Sequence, residues 1–267
     1  MRKISLDWLT VYDVQQPELV EIASELGYQA FSAILSGFSL LEIPAITPGT
    51  SLAADMAVEI ERTGMALHNI EFFPITPDIN MTEYQPFFEL GETFGAGNLV
   101  SVVMDDHPTR SLDNFCKLCE SAASFGMSVV LEPMSMPTSM LKSVDDAVAF
   151  IGNASQPNAG LQIDLLHLMK SGGKPADIRR IDPALILSAQ LCDGPASPTN
   201  EQYFHNAVYE RQIPGEGELP VEEFLRELPE TVMVGIEVPL TSQAKQGIGP
   251  RERARNCLEA THCLIDS

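Results

Sequence analysis

The stretch Phe125-Gly126-Met127-Ser128-Val129-Val130-Leu131-Glu132-Pro133 decides how this chain is read. A glycine stands just past a helical pattern, where a left-handed C-cap is expected. A short apolar run follows and reads as a strand. An acid and a proline then end the run.

Working outward, Gly27, Gly64 and Gly95 hold the same place between a helical pattern and an apolar run. Such repetition argues for alternating strands and helices more strongly than any single run. The apolar runs are 4–9, 28–35, 66–72, 99–104, 128–131, 159–163, 185–191 and 232–238. Helix-like segments lie near 17–26, 50–63, 82–95, 111–125, 143–153, 175–180, 220–228 and 248–264, the one at 175–180 being the weakest. Pro17 suits a first helical turn. Alternation of this kind implies a parallel sheet with helices outside it. Eight units of roughly 33 residues favour a closed (β/α)₈ TIM barrel, α/β in class. The expectation is a single domain over residues 1–267. A Gly-x-Gly-x-x-Gly after the first strand is absent, so a dinucleotide fold loses support. The long polar stretch from Gly194 to Gly217 reads as a wall or lid of the active site.

Composition narrows the partners. The net charge is −21. A surface this acidic repels phosphate backbones and anionic headgroups, which argues against nucleic acid and membrane. An anionic small substrate is not excluded, because one local arginine outweighs a distant field in salt. No stretch approaches the apolar length of a bilayer span. The N-terminus, basic and then acidic at Asp7, does not read as a signal peptide. The 5 cysteines are odd in number and irregularly spaced, which implies a reducing, cytoplasmic location. Cys116-Lys117-Leu118-Cys119 reads as helix packing, with Ser111 as the expected N-cap.

In a parallel barrel, working residues sit at the C-terminal ends of strands. The fifth run ends Leu131-Glu132-Pro133, the sixth Ile163-Asp164, the seventh Ala189-Gln190-Leu191-Cys192-Asp193 and the eighth Ile236-Glu237-Val238. Glu132, Asp164, Gln190 and Glu237 thus reach one rim. Three acids around a point repel one another unless protons or a cation intervene. An all-oxygen donor set suits Mn²⁺ or Mg²⁺ better than Zn²⁺ or Co²⁺. The bland alternative is that each acid is only a solvated strand-end residue.

Val130-Leu131-Glu132-Pro133, Ile163-Asp164-Leu165-Leu166-His167, Gln190-Leu191-Cys192-Asp193, Arg211-Gln212-Ile213-Pro214-Gly215-Glu216-Gly217 and Gly235-Ile236-Glu237-Val238 resemble the successive motifs of the xylose-isomerase-like superfamily. The nearest branch is the sugar isomerase/epimerase group, with its ketose 3-epimerases, inosose isomerases and dehydratases, and 3-dehydroshikimate dehydratases. The resemblance covers about half the chain; in the first half only the alternation matches. It implies Glu132, Asp164, Gln190 and Glu237 as ligands of one divalent metal ion, with Glu132 and Glu237 doubling as the acid/base pair. It also implies that His167 and Arg211 contact substrate oxygens. Many relatives carry His where this chain has Gln190. Some dehydratases carry Gln there.

The chemistry agrees with that assignment. A proton beside a carbonyl is too weakly acidic for an unaided carboxylate. A cation on the carbonyl oxygen stabilises the enediolate, and two carboxylates shuttle the proton. Return on the opposite face is epimerisation, return at the next carbon is isomerisation, and loss of a β-hydroxyl is dehydration. A small carbohydrate-like substrate follows, and barrels of this type often form homodimers or homotetramers.

His68, His107 and Trp8 fall near strand ends and are expected to line the substrate pocket. The same histidines raise the trinuclear zinc endonucleases as a rival, but the further ligands that reading needs are missing. Phe72 and Phe73 are expected in the core. The leading expectation is a metal-dependent isomerase or epimerase. The alternatives are a dehydratase on the same scaffold and a non-catalytic binding barrel.

Overall fold

The computed structural model describes residues 2–265. Eight parallel strands close into a barrel in sequence order. The strands and helices alternate as β1 (Ile4–Asp7), α1 (Gln16–Leu26), β2 (Ala30–Ile34), α2 (Ser51–Thr63), β3 (Ala66–Glu71), α3 (Met81–Phe94), β4 (Asn98–Ser101) and α4 (Pro108–Ala123). The second half runs β5 (Ser128–Leu131), α5 (Val144–Ala154), β6 (Ala159–Asp164), α6 (Leu165–Lys170), β7 (Ile186–Leu191), α7 (Asn200–Val208), α8 (Val221–Glu227), β8 (Met233–Ile236), α9 (Thr241–Lys245) and α10 (Pro250–Ile265). β1 pairs with both β2 and β8, so Leu6 stands opposite Phe31 on one side and Ile236 on the other. No helix among the described residues is long and apolar enough to cross a membrane.

Local sequence explains the elements. Gly27 ends α1 at φ 86°, a conformation a side chain disfavours, and its N–H closes back on the helix. Gly64 and Gly95 end α2 and α3 in the same way. α5 opens on a capping box between Ser143 and Asp146. α4 buries Phe115, Leu118, Cys119 and Ala122, the i, i+3, i+4, i+7 stripe of a helix laid on a sheet. Cys119 is therefore core, and burial pushes its thiol up to about 12. That leaves the Cys-x-x-Cys pair as helix packing.

Four local expectations change. α4 starts at Pro108 behind an N-cap at His107, so Ser111 lies inside the helix and donates back to the Pro108 carbonyl at 3.0 Å. The weak segment after β6 is a 3₁₀ turn, Pro175–Arg180, while α6 follows β6 directly. The stretch 194–217 folds a helix of its own, α7, opened by a capping box of Thr199 and Gln202. That Thr-x-x-Gln signature was present in the sequence. α9 also forms, five residues long, before α10.

Candidate active site

The C-terminal ends of the strands gather the acids. Asp7 ends β1, Glu71 ends β3, Glu132 follows β5, Asp164 ends β6, Gln190 stands one residue from the end of β7, and Glu237 follows β8. All six side chains are buried. Gly235 makes room for this: a Cβ there would lie 2.1 Å from the Asp7 carboxylate.

Arg211 is the cation in their midst. Its Nη1 donates to Asp164 Oδ2 at 2.6 Å, and its Nη2 pairs with Glu237 Oε2 at 2.6 Å. Arg211 is 3% exposed. Its Nε–H is buried without a hydrogen-bond partner among the described residues. The loop carrying it is pinned at both sides: Arg211 N donates to Pro239 O, and Gln212 exchanges two backbone bonds with Asp193. The Asp193 carboxylate accepts from the backbone N–H of Gly194, Gly215 and Leu219, so it holds the loop rather than the substrate.

His167 lies on the first turn of α6. Asp164 Oδ1 accepts the His167 backbone N–H at 3.0 Å, capping the helix. The ring is fixed by Tyr203 of α7, whose hydroxyl meets Nδ1 at 2.9 Å and also accepts the Ser135 amide. That turns Nε2 toward Glu132 Oε1, 3.6 Å away. Burial lowers the imidazole to about 4, so the ring is neutral at physiological pH.

Beneath the acids the barrel interior is polar, unlike the branched apolar layers usual for this architecture. Asn98 Nδ2 donates to the His68 carbonyl and to Asn69 Oδ1. Asn69 Nδ2 donates to Gln162 Oε1 at 2.8 Å, and Gln162 Nε2 donates to Gln190 Oε1 at 2.8 Å. Gln190 Nε2 then faces Asp7, Glu71 and Glu237 at 3.1, 3.3 and 3.0 Å. Each amide donates to the next, and the His68 carbonyl, an acceptor only, sets the direction of the series. A register shift in β6 at Leu161/Gln162 brings Gln162 opposite Ser188 and into this line.

Five carboxylates against one guanidinium cannot all carry charge in so small a buried volume. Burial, then the charge of Glu237, holds the Glu71 and Glu132 carboxyls well above the usual carboxylate range. Glu237 is pushed up to about 8 and Asp7 to about 6, in both cases chiefly by burial. Burial acts on Asp164 in the same sense, but Arg211 and His167 outweigh it and hold that carboxyl below its ordinary value.

The donor chemistry fits a divalent cation at one place. Glu132, Asp164 and His167 each offer a ligand atom, and these atoms lie within 4.8 Å of one another. The wider set anticipated from the resemblance is less open. Arg211 occupies the Asp164 and Glu237 oxygens that face it, and Gln190 gives its amide oxygen to Gln162. Ligation through Gln190 Oε1 requires the series of amides to reverse.

Above the acids opens a cavity of about 360 Å³. Glu71, Glu132, His167, Arg211 and Glu237 line it, as does Trp8, whose indole N–H donates to Glu71 Oε2 at 2.6 Å. Phe72 lines it too, whereas Phe73 is core. Two expected pocket residues do not reach it. His68 lies three residues short of the end of β3 and points to Ser188 Oγ at 3.2 Å. His107 is exposed, its Nδ1 accepting the Arg110 amide as the N-cap of α4. An apolar run does not reveal where its strand stops, and both histidines were misplaced for that reason. Asp7 and Glu71 were overlooked, because they end β1 and β3 but fall inside the apolar runs 4–9 and 66–72. Tyr203 had no signal beyond the capping box that starts its helix.

Residues 20–259 match the family model described as xylose isomerase-like TIM barrel. The chain is 22% identical over 158 residues to the inosose isomerase of Bacillus subtilis (strain 168), covering 56% of this chain and 55% of that protein. The match thus spans about half the length of that relative. Among solved structures, an IolI protein with a bound zinc atom superposes with a TM-score of 0.81 at 17% identity, over 99% of this chain and 98% of that one. D-allulose 3-epimerase from Methylomonas sp. gives 0.72 at 12% identity, over 98% of each chain. The probable 3-DHS dehydratase AsbF from Bacillus anthracis gives 0.72 at 15%, over 94% of this chain and 97% of that one. At these identities the likeness is one of fold.

Proposed function

The chain belongs to the xylose isomerase-like TIM barrel family, and from that premise we propose that it is an isomerase or epimerase of a small hydroxylated carbonyl compound, moving a proton between Glu132 and Glu237. The observation that carries this reading is that both acids line one cavity and are held above the ordinary carboxylate range. Glu237, held up to about 8, titrates close enough to neutrality to take and return a proton. The similarity to an inosose isomerase and to a ketose epimerase fold supports the same class of chemistry.

The roles divide by contact. One of Glu132 and Glu237 takes the proton from the carbon beside the carbonyl, and the other gives it back. Arg211 holds Glu237 and Asp164 in place, and its free Nε–H is a donor for a substrate oxygen. His167, neutral and fixed by Tyr203, presents Nε2 toward Glu132 and the cavity. Glu132, Asp164 and His167 would hold a divalent ion, with Glu237 and Gln190 as further ligands if Arg211 and the amide series give way. Such an ion supplies Lewis-acid polarisation of a carbonyl oxygen when bound. The donors suit Mn²⁺ or Mg²⁺, and the imidazole admits Zn²⁺ or Co²⁺. Cysteines that are all free suit a reducing compartment, so a cytoplasmic location goes with this reading.

Dehydration is the second reading. Glu237, protonated up to about 8, could protonate a departing β-hydroxyl at neutral pH. The fold likeness to a probable 3-DHS dehydratase points the same way.

The test is a solvent-deuterium screen over ketoses, inososes and 3-dehydroshikimate, read by proton NMR. Deuterium at one carbon without a new ultraviolet chromophore supports the first reading. A conjugated, ultraviolet-absorbing product supports the second. Exchange that survives both Glu132→Gln and Glu237→Gln removes the acid/base assignment.

A further inference from the structure

The floor of the cavity is charged, but its walls are not. Besides Trp8 they are built from Leu9, Leu40, Phe38, Phe72 and Phe204, with Met104, Met134 and Met136 from the β4–α4 and β5–α5 connections. Trp8 and Phe38 meet edge to face with centroids 5.5 Å apart, and Phe38 meets Phe72 likewise at 6.4 Å. Thr138 is the polar side chain among these wall residues. The indole N–H of Trp8 is already committed to Glu71, so it is not free for a ligand. Of four large apolar side chains left exposed among the described residues, two, Leu40 at 50% and Phe204 at 40%, stand on this cavity.

This is a poor lining for a free sugar. A sugar carries a hydroxyl on nearly every carbon, and each hydroxyl pressed against such a wall loses its water without gaining a partner. Sites for bare carbohydrate set an aromatic face within a rim of hydrogen-bonding side chains, and that rim is missing from these walls. An aromatic ring gains from the same surface: it buries apolar area and meets other rings at their edges. Methionines yield to the outline of a bulky group and contact its ring edge favourably. Exposed apolar side chains concentrated at one cavity mark a binding surface.

We propose that the substrate is amphipathic: a hydroxy-carbonyl head over the acids, joined to an aromatic group that lies against Trp8, Phe38, Phe72 and Phe204. This rests on the proposed function for the head and adds the chemical class of the rest of the molecule. The ring side fixes the compound; the head turns over.

Trp8 is the only tryptophan of the chain, so its fluorescence reports occupancy of the wall whether or not chemistry follows. The probes are 1-hydroxy-3-phenylpropan-2-one, 1,3-dihydroxypropan-2-one and D-fructose, each titrated by Trp8 emission. Deuterium exchange at the hydroxymethyl carbon is followed in parallel. The phenyl ketone should bind at least ~10-fold more tightly than either polar probe. Phe204→Glu and Leu40→Glu, both at partly exposed positions, should each narrow that preference by ~5-fold or more. Equal or tighter binding of the polar probes, or a preference unmoved by both variants, overturns the proposal. Preferential phenyl binding with no exchange of any probe supports the proposal and counts against the proposed function instead. Exchange that favours the polar ketones overturns the proposal and leaves the function standing.

Discussion

Gln190 turns its amide nitrogen, not its oxygen, toward Glu237, at 3.0 Å. Its oxygen is taken by Gln162, which is aligned in turn by Asn69 and Asn98. A neutral donor thus stands among acids where a ligand was anticipated. Its N–H groups ease the crowding of charge without a full positive charge, and they leave the acids partly protonated.

Replacing Gln190 by His puts a nitrogen lone pair within reach of the same acids. Gln190→His should raise divalent-ion affinity by roughly 10- to 100-fold. Equilibrium dialysis with Mn²⁺ or Zn²⁺ measures it. Unchanged affinity would show that the ion, when bound, sits away from Gln190, at Glu132, Asp164 and His167.

Metal and pH are linked through the same acids. A carboxyl with a raised folded value binds more protons folded than unfolded, so stability falls as pH rises from its ordinary value through the folded one. For Glu237 that window runs from about 4.5 to about 8. The metal-free protein should therefore melt at lower temperature at pH ~8 than at pH ~5.5, and added Mn²⁺ should raise the melting temperature more at the higher pH. An ion effect that does not depend on pH would contradict this.

His68 works in the opposite sense. Burial lowers it from 6.5 to about 4, so the unfolded chain takes up its proton first. The associated stability is complete above about 6.5 and is lost as pH falls toward about 4, with a total on the order of 3 kcal/mol. His68→Gln, which can still bond to Ser188, should flatten the acid limb of a melting-temperature profile. A profile identical to that of the parent protein would remove His68 from the account.

Glu132→Gln and Glu237→Gln should also stabilise the metal-free fold near pH 8, since each removes a carboxyl whose ionisation burial opposes. Both should cost roughly 10²- to 10⁴-fold in turnover. Thermal melts read beside activity separate loss of chemistry from loss of fold.

The barrel was legible in the sequence because its signals are local and repeated. Glycines such as Gly27 and Gly64 must sit where a helix turns back, and acids such as Glu132 and Asp164 end apolar runs. Asp7 and Glu71 did not carry that second signal: each is followed by apolar residues, Trp8-Leu9 and Phe72-Phe73, that hide where β1 and β3 stop. What could not be read depends on contacts across the barrel. The direction of the Gln190 amide is set by Asn98, which lies 92 positions earlier in the chain. Arg211 reaches Asp164 and Glu237 from a loop whose path is fixed by Asp193. The apolar character of the cavity comes from α7 and from connections of unrelated sequence that meet only in three dimensions.

The most direct measurement follows solvent deuterium into each isomer of a turned-over substrate, for the parent protein and for the two carboxamide variants separately. A two-acid shuttle predicts deuterium at a single carbon with the parent protein. It further predicts that each variant blocks interconversion, while the remaining acid still exchanges the proton of the isomer it faces. Interconversion without uptake of deuterium, or at parent rates in either variant, would contradict proton transfer by Glu132 and Glu237.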